Sequence, residues 1–67
     1  MSVAKVIEII CCSPKSFDDA IRNGIAEAAK TLHGIKAAWV KDKSLCIENA
    51  QIAQYKVILH ITFEIKK

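Results

Sequence analysis

Glycine occurs twice, proline once and aromatic residues four times in 67 residues, and each scarcity removes a class of function. Gly24 and Gly34 alone cannot build a glycine-rich loop that cradles phosphate, so neither a P-loop nor a dinucleotide fingerprint is present. No apolar run approaches the ~18 residues of a membrane span. The three cysteines, Cys11, Cys12 and Cys46, are odd in number, and two are adjacent, which does not make a disulfide framework. They also lack the paired spacing of a zinc site. With no secretory segment before them, they read as small hydrophobes in a reducing cytoplasm. Positive charge is not concentrated either. Ten Lys and Arg stand against seven Asp and Glu, a net charge of +3, and Lys41, Lys43, Lys66 and Lys67 form no basic tract interleaved with aromatics. Nucleic acid is therefore not an expected partner.

What the chain does have is apolar content, 52% of its residues. A domain of this length buries roughly 60% of the surface its unfolded chain exposes. Area gained and entropy lost then nearly cancel, so a small domain needs a staple. With disulfides and zinc set aside, self-association or a bound cofactor remains, and a homo-oligomer is expected.

The pattern predicts four elements. Val3 to Cys11 reads as a strand rich in Val and Ile, with Ile7 and Ile9 on one face and Val6 and Ile10 on the other; Cys-Ser-Pro-Lys-Ser ends it. Ser16 followed by Phe17, Asp18 and Asp19 is a helix start. Phe17, Ala20, Ile21, Ile25, Ala28, Ala29 and Leu32 then recur at helical spacing, which predicts a helix over about 17–32 with Gly34 as its stop. Two strands follow, at 35–48 and 52–66. In the last, Ala53, Tyr55, Val57, Leu59, Ile61, Phe63 and Ile65 alternate with Gln54, Lys56, Ile58, His60, Thr62 and Glu64. The apolar set must cover the helix. In the strand before it, Ala38, Val40 and Cys46 are placed inside and Ala37, Trp39, Lys41 and Lys43 outside; a bulge near Asp42 would swap Leu45 and Ile47. The expected fold is α+β, in the order β-α-β-β, with a three-stranded antiparallel sheet curled around one helix. Strands rise about twice as far per residue as a helix, so the sheet overreaches its cover.

Candidate chemistry is sparse. His33 sits at the predicted helix end, where its charge suits the dipole. His60 shares the outer face of the last strand with Lys56, but no Ser, Cys or carboxylate at fixed spacing completes a triad, and it reads as an interface or surface residue. Cys11 and Cys12 lack a resolving partner. No enzyme is expected. Trp39, the only tryptophan, is the best candidate, because it faces away from the helix and needs a partner. That partner is another subunit, a planar ligand, or none. Around it the period-2 pattern groups Ala37, Lys41, Gln54, Lys56 and Ile58. An indole beside a donor suits a planar ring, with stacking contributing about 0.5–1.5 kcal/mol beyond area burial. Tryptophan is equally enriched at subunit interfaces.

The opening Met-Ser-Val-Ala-Lys-Val-Ile-Glu-Ile, the Ser-Pro-Lys-Ser-Phe-Asp-Asp-Ala-Ile before the helix, Lys30-Thr31-Leu32, Ala38-Trp39-Val40-Lys41 and Tyr55-Lys56-Val57 together resemble the dodecin family. The likeness spans nearly the whole chain. It implies a hollow homododecamer of cubic-type symmetry that stores or sequesters flavin, FMN or riboflavin, and quenches its photochemistry. In such proteins a second-strand Trp stacks on the isoalloxazine ring, and a third-strand Gln bonds the flavin edge. Aligned on Val40-Lys41, this chain has Ala37 at the stacking position and Trp39 two residues later, on the same face but roughly 6–7 Å along the strand. Lys56 follows Tyr55 where the family commonly has Gln. The resemblance thus implies a flavin site of Trp39, Lys56 and Ala37. Its alternative is a non-flavin, structural or ion-handling oligomer of the same kind, with Trp39 as an interface residue.

Overall fold

The computed structural model describes residues 3–65, in the order β1 (Val3–Ser13), α1 (Phe17–Ala29), β2 (Ile35–Glu48) and β3 (Gln51–Ile65). The expected β-α-β-β fold is present. The expected strand end at Lys66 lies outside the described residues. β3 runs in the middle of the sheet, antiparallel to β1 on one side and to β2 on the other.

The inner face follows from the alternation of β3. Val57, Leu59 and Ile61 are fully buried, and α1 seals them with Ala20, Ile21, Ile25 and Ala28. Opposite them on β1, Ile7 pairs with Ile61, Ile9 with Leu59 and Cys11 with Val57, so the same side of both strands meets the helix. Ser16 caps α1 by accepting from the Asp19 amide at 2.9 Å, with Asp18 and Asp19 in the first turn. Buried Ser13 ties the strand end to this start. Its hydroxyl donates to the Asp19 carboxylate at 2.6 Å and accepts from the Lys15 amide at 2.9 Å. β1 accordingly extends two residues beyond the expected Cys11, because Cys12 and Ser13 still pair with Lys56 and Tyr55.

Three expectations are corrected. The helix ends at Ala29, not near residue 32, because the amides of Lys30 and Thr31 turn back to carbonyls three residues earlier and tighten the last turn. Gly34 does not stop the helix. It lies at the entry to β2 with φ of 78°, and its carbonyl accepts from the Glu64 amide at 2.9 Å. The third correction concerns faces. A bulge between Val40 and Asp42 turns Lys43 inward, opposite Val57, and Cys46 outward, opposite Gln54. The Lys43 ammonium stands 5.3 Å from the centre of the Phe17 ring, which itself meets Tyr55 edge-on. Leu45 swaps inward, opposite Tyr55. A further shift after Cys46 leaves Ile47 outside, opposite Ile52.

A two-residue turn joins β2 to β3, with Asn49 and Ala50 both left-handed at φ of 52° and 62°. This is the backbone that a tight hairpin between right-twisted strands requires.

Gly24 sets how closely α1 approaches β1. A Cβ there would stand 2.1 Å from the Cys11 Sγ and 3.1 Å from its Cβ. Gly24→Ala should therefore lower stability by about 1–3 kcal/mol through overpacking, measured by equilibrium denaturation at fixed protein concentration. The loss should be smaller in a Cys11→Ala background, where the sulfur is gone.

Candidate functional site

The outer face of the sheet carries no helix among the described residues, and its centre is a row across all three strands. Glu8 of β1 and Trp39 of β2 both stand opposite His60 of β3. The outward alternation of β3 places the imidazole there, with Leu59 and Ile61 buried on the other side of the same backbone. Trp39 faces outward as expected and is 49% exposed. Its ring meets that of His60 edge-on, with centroids 4.7 Å apart and planes at 68°.

His60 is in turn held by Glu8, whose carboxylate lies 2.8 Å from Nε2. A carboxylate only accepts, so Nε2 carries the proton in this contact. The Lys41 ammonium reaches the same oxygen at 3.3 Å. Lys41 is the extra residue of the β2 bulge, between Val40, which pairs with Leu59, and Asp42, which pairs with Ile58. The hydrogen bond from His60, then that from Lys41 and its positive charge, hold the Glu8 carboxyl below its ordinary value of 4.5.

The register separates two residues that alternation alone puts on a shared patch. Lys56 stands opposite Ser44 and Cys12, four residues along β3 from His60. That is roughly 13 Å of strand. Trp39 and Lys56 therefore do not meet within one subunit. Gln54, opposite Cys46, is farther still. Ala37 does remain beside Trp39, two residues along β2 and opposite Thr62. Glu8 and His60 are the partners that sequence reasoning missed. Their parity was legible, but the meeting of β1 and β2 across a central β3 was not.

A second feature is an apolar groove of about 410 Å³ between α1 and the free side of β1, lined by Ile10, Cys11, Cys12, Asn23, Gly24 and Glu27, among others. Burial, followed by the charge of the Cys12 thiolate, pushes the Cys11 thiol above its ordinary value. It is held protonated and is a poor nucleophile. Cys12 and Cys46 are exposed. Among the described residues, no three His, Cys, Asp or Glu side chains gather to hold a metal ion.

The lowered Glu8 value fixes a pH dependence. Its folded-state value lies below 4.5, so the stability it contributes is present above that pH and lost as pH falls through the folded value. The stability difference between the protein and Glu8→Gln should shrink as pH falls below about 4.5. Denaturation in a pH series reads it. The half-exposed carboxylate makes the difference salt-sensitive, and 1 M NaCl should reduce it.

The protein-family model described as Dodecin matches residues 3–66. The calcium dodecin of Mycobacterium tuberculosis is 30% identical over 66 residues, covering 98% of this chain and 93% of that protein. Its crystal structure, described as that of a calcium-chelating antigen with a calcium-binding site, superposes with a TM-score of 0.85 at 29% identity, over 97% of this chain and 93% of that one. Dodecin from Streptomyces davaonensis gives 0.94 at 32% identity, over 98% and 97% of the two chains. Dodecin from Streptomyces coelicolor gives 0.95 at 29% identity, over 98% and 94%.

Proposed function

The chain belongs to the dodecin family, and from that premise we propose that it is the subunit of a cytoplasmic homododecamer that binds and buffers flavin, FMN or riboflavin. The ligand stacks on Trp39, and the contact with the indole quenches its photochemistry. The observation that carries this reading is a half-exposed indole held edge-on by His60 on the uncovered face of the sheet. Beside it Ala37 offers only a methyl group, which leaves a low shelf along the strand where a planar ring can lie.

The polar contacts near the indole are His60 and Lys41. Lys56 joins the site where assembly lays a second subunit's outer face across the first. The reading is of a binding and storage protein and not an enzyme, in keeping with the protonated Cys11. Three free cysteines, two of them exposed, fit a reducing cytoplasm. Among the described residues no helix is long and apolar enough to cross a membrane.

A second reading, a non-flavin oligomer that handles ions, draws on the similarity to calcium dodecin and on Ala37 at the position where the resemblance puts the stacking ring. There Trp39 packs between subunits, and a cation takes its donors from more than one chain.

Titrating FMN with the pure protein separates the two. Flavin fluorescence should fall at micromolar protein, and Trp39→Ala should weaken binding about tenfold or more, the loss of stacking plus buried ring area. Lys56→Gln should change affinity far less. Unquenched flavin, together with calcium uptake by calorimetry, would instead establish the ion-handling reading.

A further inference from the structure

We propose that Glu8 and His60 form a proton-responsive brace behind Trp39: protonating His60 tightens the Glu8–His60–Trp39 row and fixes the indole, and deprotonating it loosens the ring. The Trp39 ligand is then held more firmly at lower pH, a consequence that rests on the flavin reading above, whereas the brace itself does not.

The geometry supports each link. The Nε2–H of His60 points to the Glu8 carboxylate at 2.8 Å, so a second proton on the ring adds a full positive charge to a bond whose acceptor is already ionised and makes it an ion pair. The same proton places a cation 4.7 Å from the indole, within the range of cation–π attraction. The charged groups that face His60 are few. Glu8 comes from β1 and favours the charged ring, Lys41 comes from β2 and opposes it while sharing the carboxylate oxygen, and α1 lies on the other side of the sheet. Histidine is the side chain whose charge ordinarily changes between about pH 5 and 8. A stiffer indole binds a flat ligand better because less motion is lost on binding.

Trp39 is the only tryptophan, so its emission reports the row without any ligand. An imidazolium beside indole lowers that emission. Acidifying the intact protein from about pH 8 to 5 should give one quenching step. His60→Gln should abolish it, His33→Gln should leave it, and Glu8→Gln, which keeps shape and hydrogen bonding but not charge, should move its midpoint to lower pH. Circular dichroism confirms that each variant is folded. A flat profile, or a step that survives His60→Gln, overturns the brace; if that variant does not fold, an unmoved midpoint in Glu8→Gln does the same.

Riboflavin, which has no phosphate to titrate in this range, tests the consequence. Its affinity should be about two- to fivefold higher at the acid end, the size of an exposed cation–π contact. Equal affinity at both ends overturns the coupling to ligand. No riboflavin binding at any pH, with the step present in the protein and lost in His60→Gln, removes the flavin reading and supports the brace.

Discussion

A single 13-residue helix has to cover a sheet whose central strand is 15 residues long. At 1.5 Å per residue the helix spans about 20 Å, while the strand spans about 50 Å. The subunit is accordingly long and thin, 51 × 19 × 13 Å, and its buried core is confined to the stretch beneath the helix. There Gly24 brings α1 onto Cys11, and the Ser13–Asp19 bond fixes where the helix starts. Elsewhere apolar side chains stay uncovered. Val40 and Leu45 project from the inner side of β2 beyond the helix, and Val6, Ile10, Ile47 and Ile52 lie on the outer face. Bare edges and apolar faces of this kind are an aggregation liability in a free subunit, and assembly with further copies resolves it.

The same constraint creates the candidate site. β3 is two-faced at every step, with Leu59 and Ile61 sealed under the helix and His60 between them pointing out. Because β3 lies in the middle, its outward residue has a neighbour on either side, an acid from β1 and an aromatic from β2. The result is an indole on an edge strand that is exposed yet oriented by its neighbour on the central strand. The charges around it are solvated, so they orient the ring more than they stabilise the fold.

Most of the fold was legible in the sequence because it rests on local rules. The alternation of β3 named the core, and Ser16 with its two aspartates named the helix start. The limits of β2 were read correctly at Ile35 and Glu48. The resemblance to dodecins joined these elements in one subunit and agrees with the family to which the chain belongs. The site was less legible, since it depends on register. The pattern admits a bulge near Asp42, which does turn Leu45 inward, but the bulge also exchanges the faces of Lys43 and Cys46. Period-2 reasoning placed Lys56 on the outer face but could not say how far along the strand it lay from Trp39. The Glu8–His60 contact bridges residues 52 positions apart, and it becomes visible only when the strand order is known. The end of the helix was hidden for another reason. Leu32 continues the apolar spacing, and its amide still bonds the Ala28 carbonyl at 2.9 Å, beyond the tightened turn at which the regular helix ends.

The claim on which the rest turns is that this subunit is incomplete alone and covers its long sheet with copies of itself. Native mass spectrometry of the protein at micromolar concentration tests it most directly. Twelve subunits of 7.4 kDa give an expected mass of about 89 kDa. A folded species at 7.4 kDa, stable on its own, would contradict the claim.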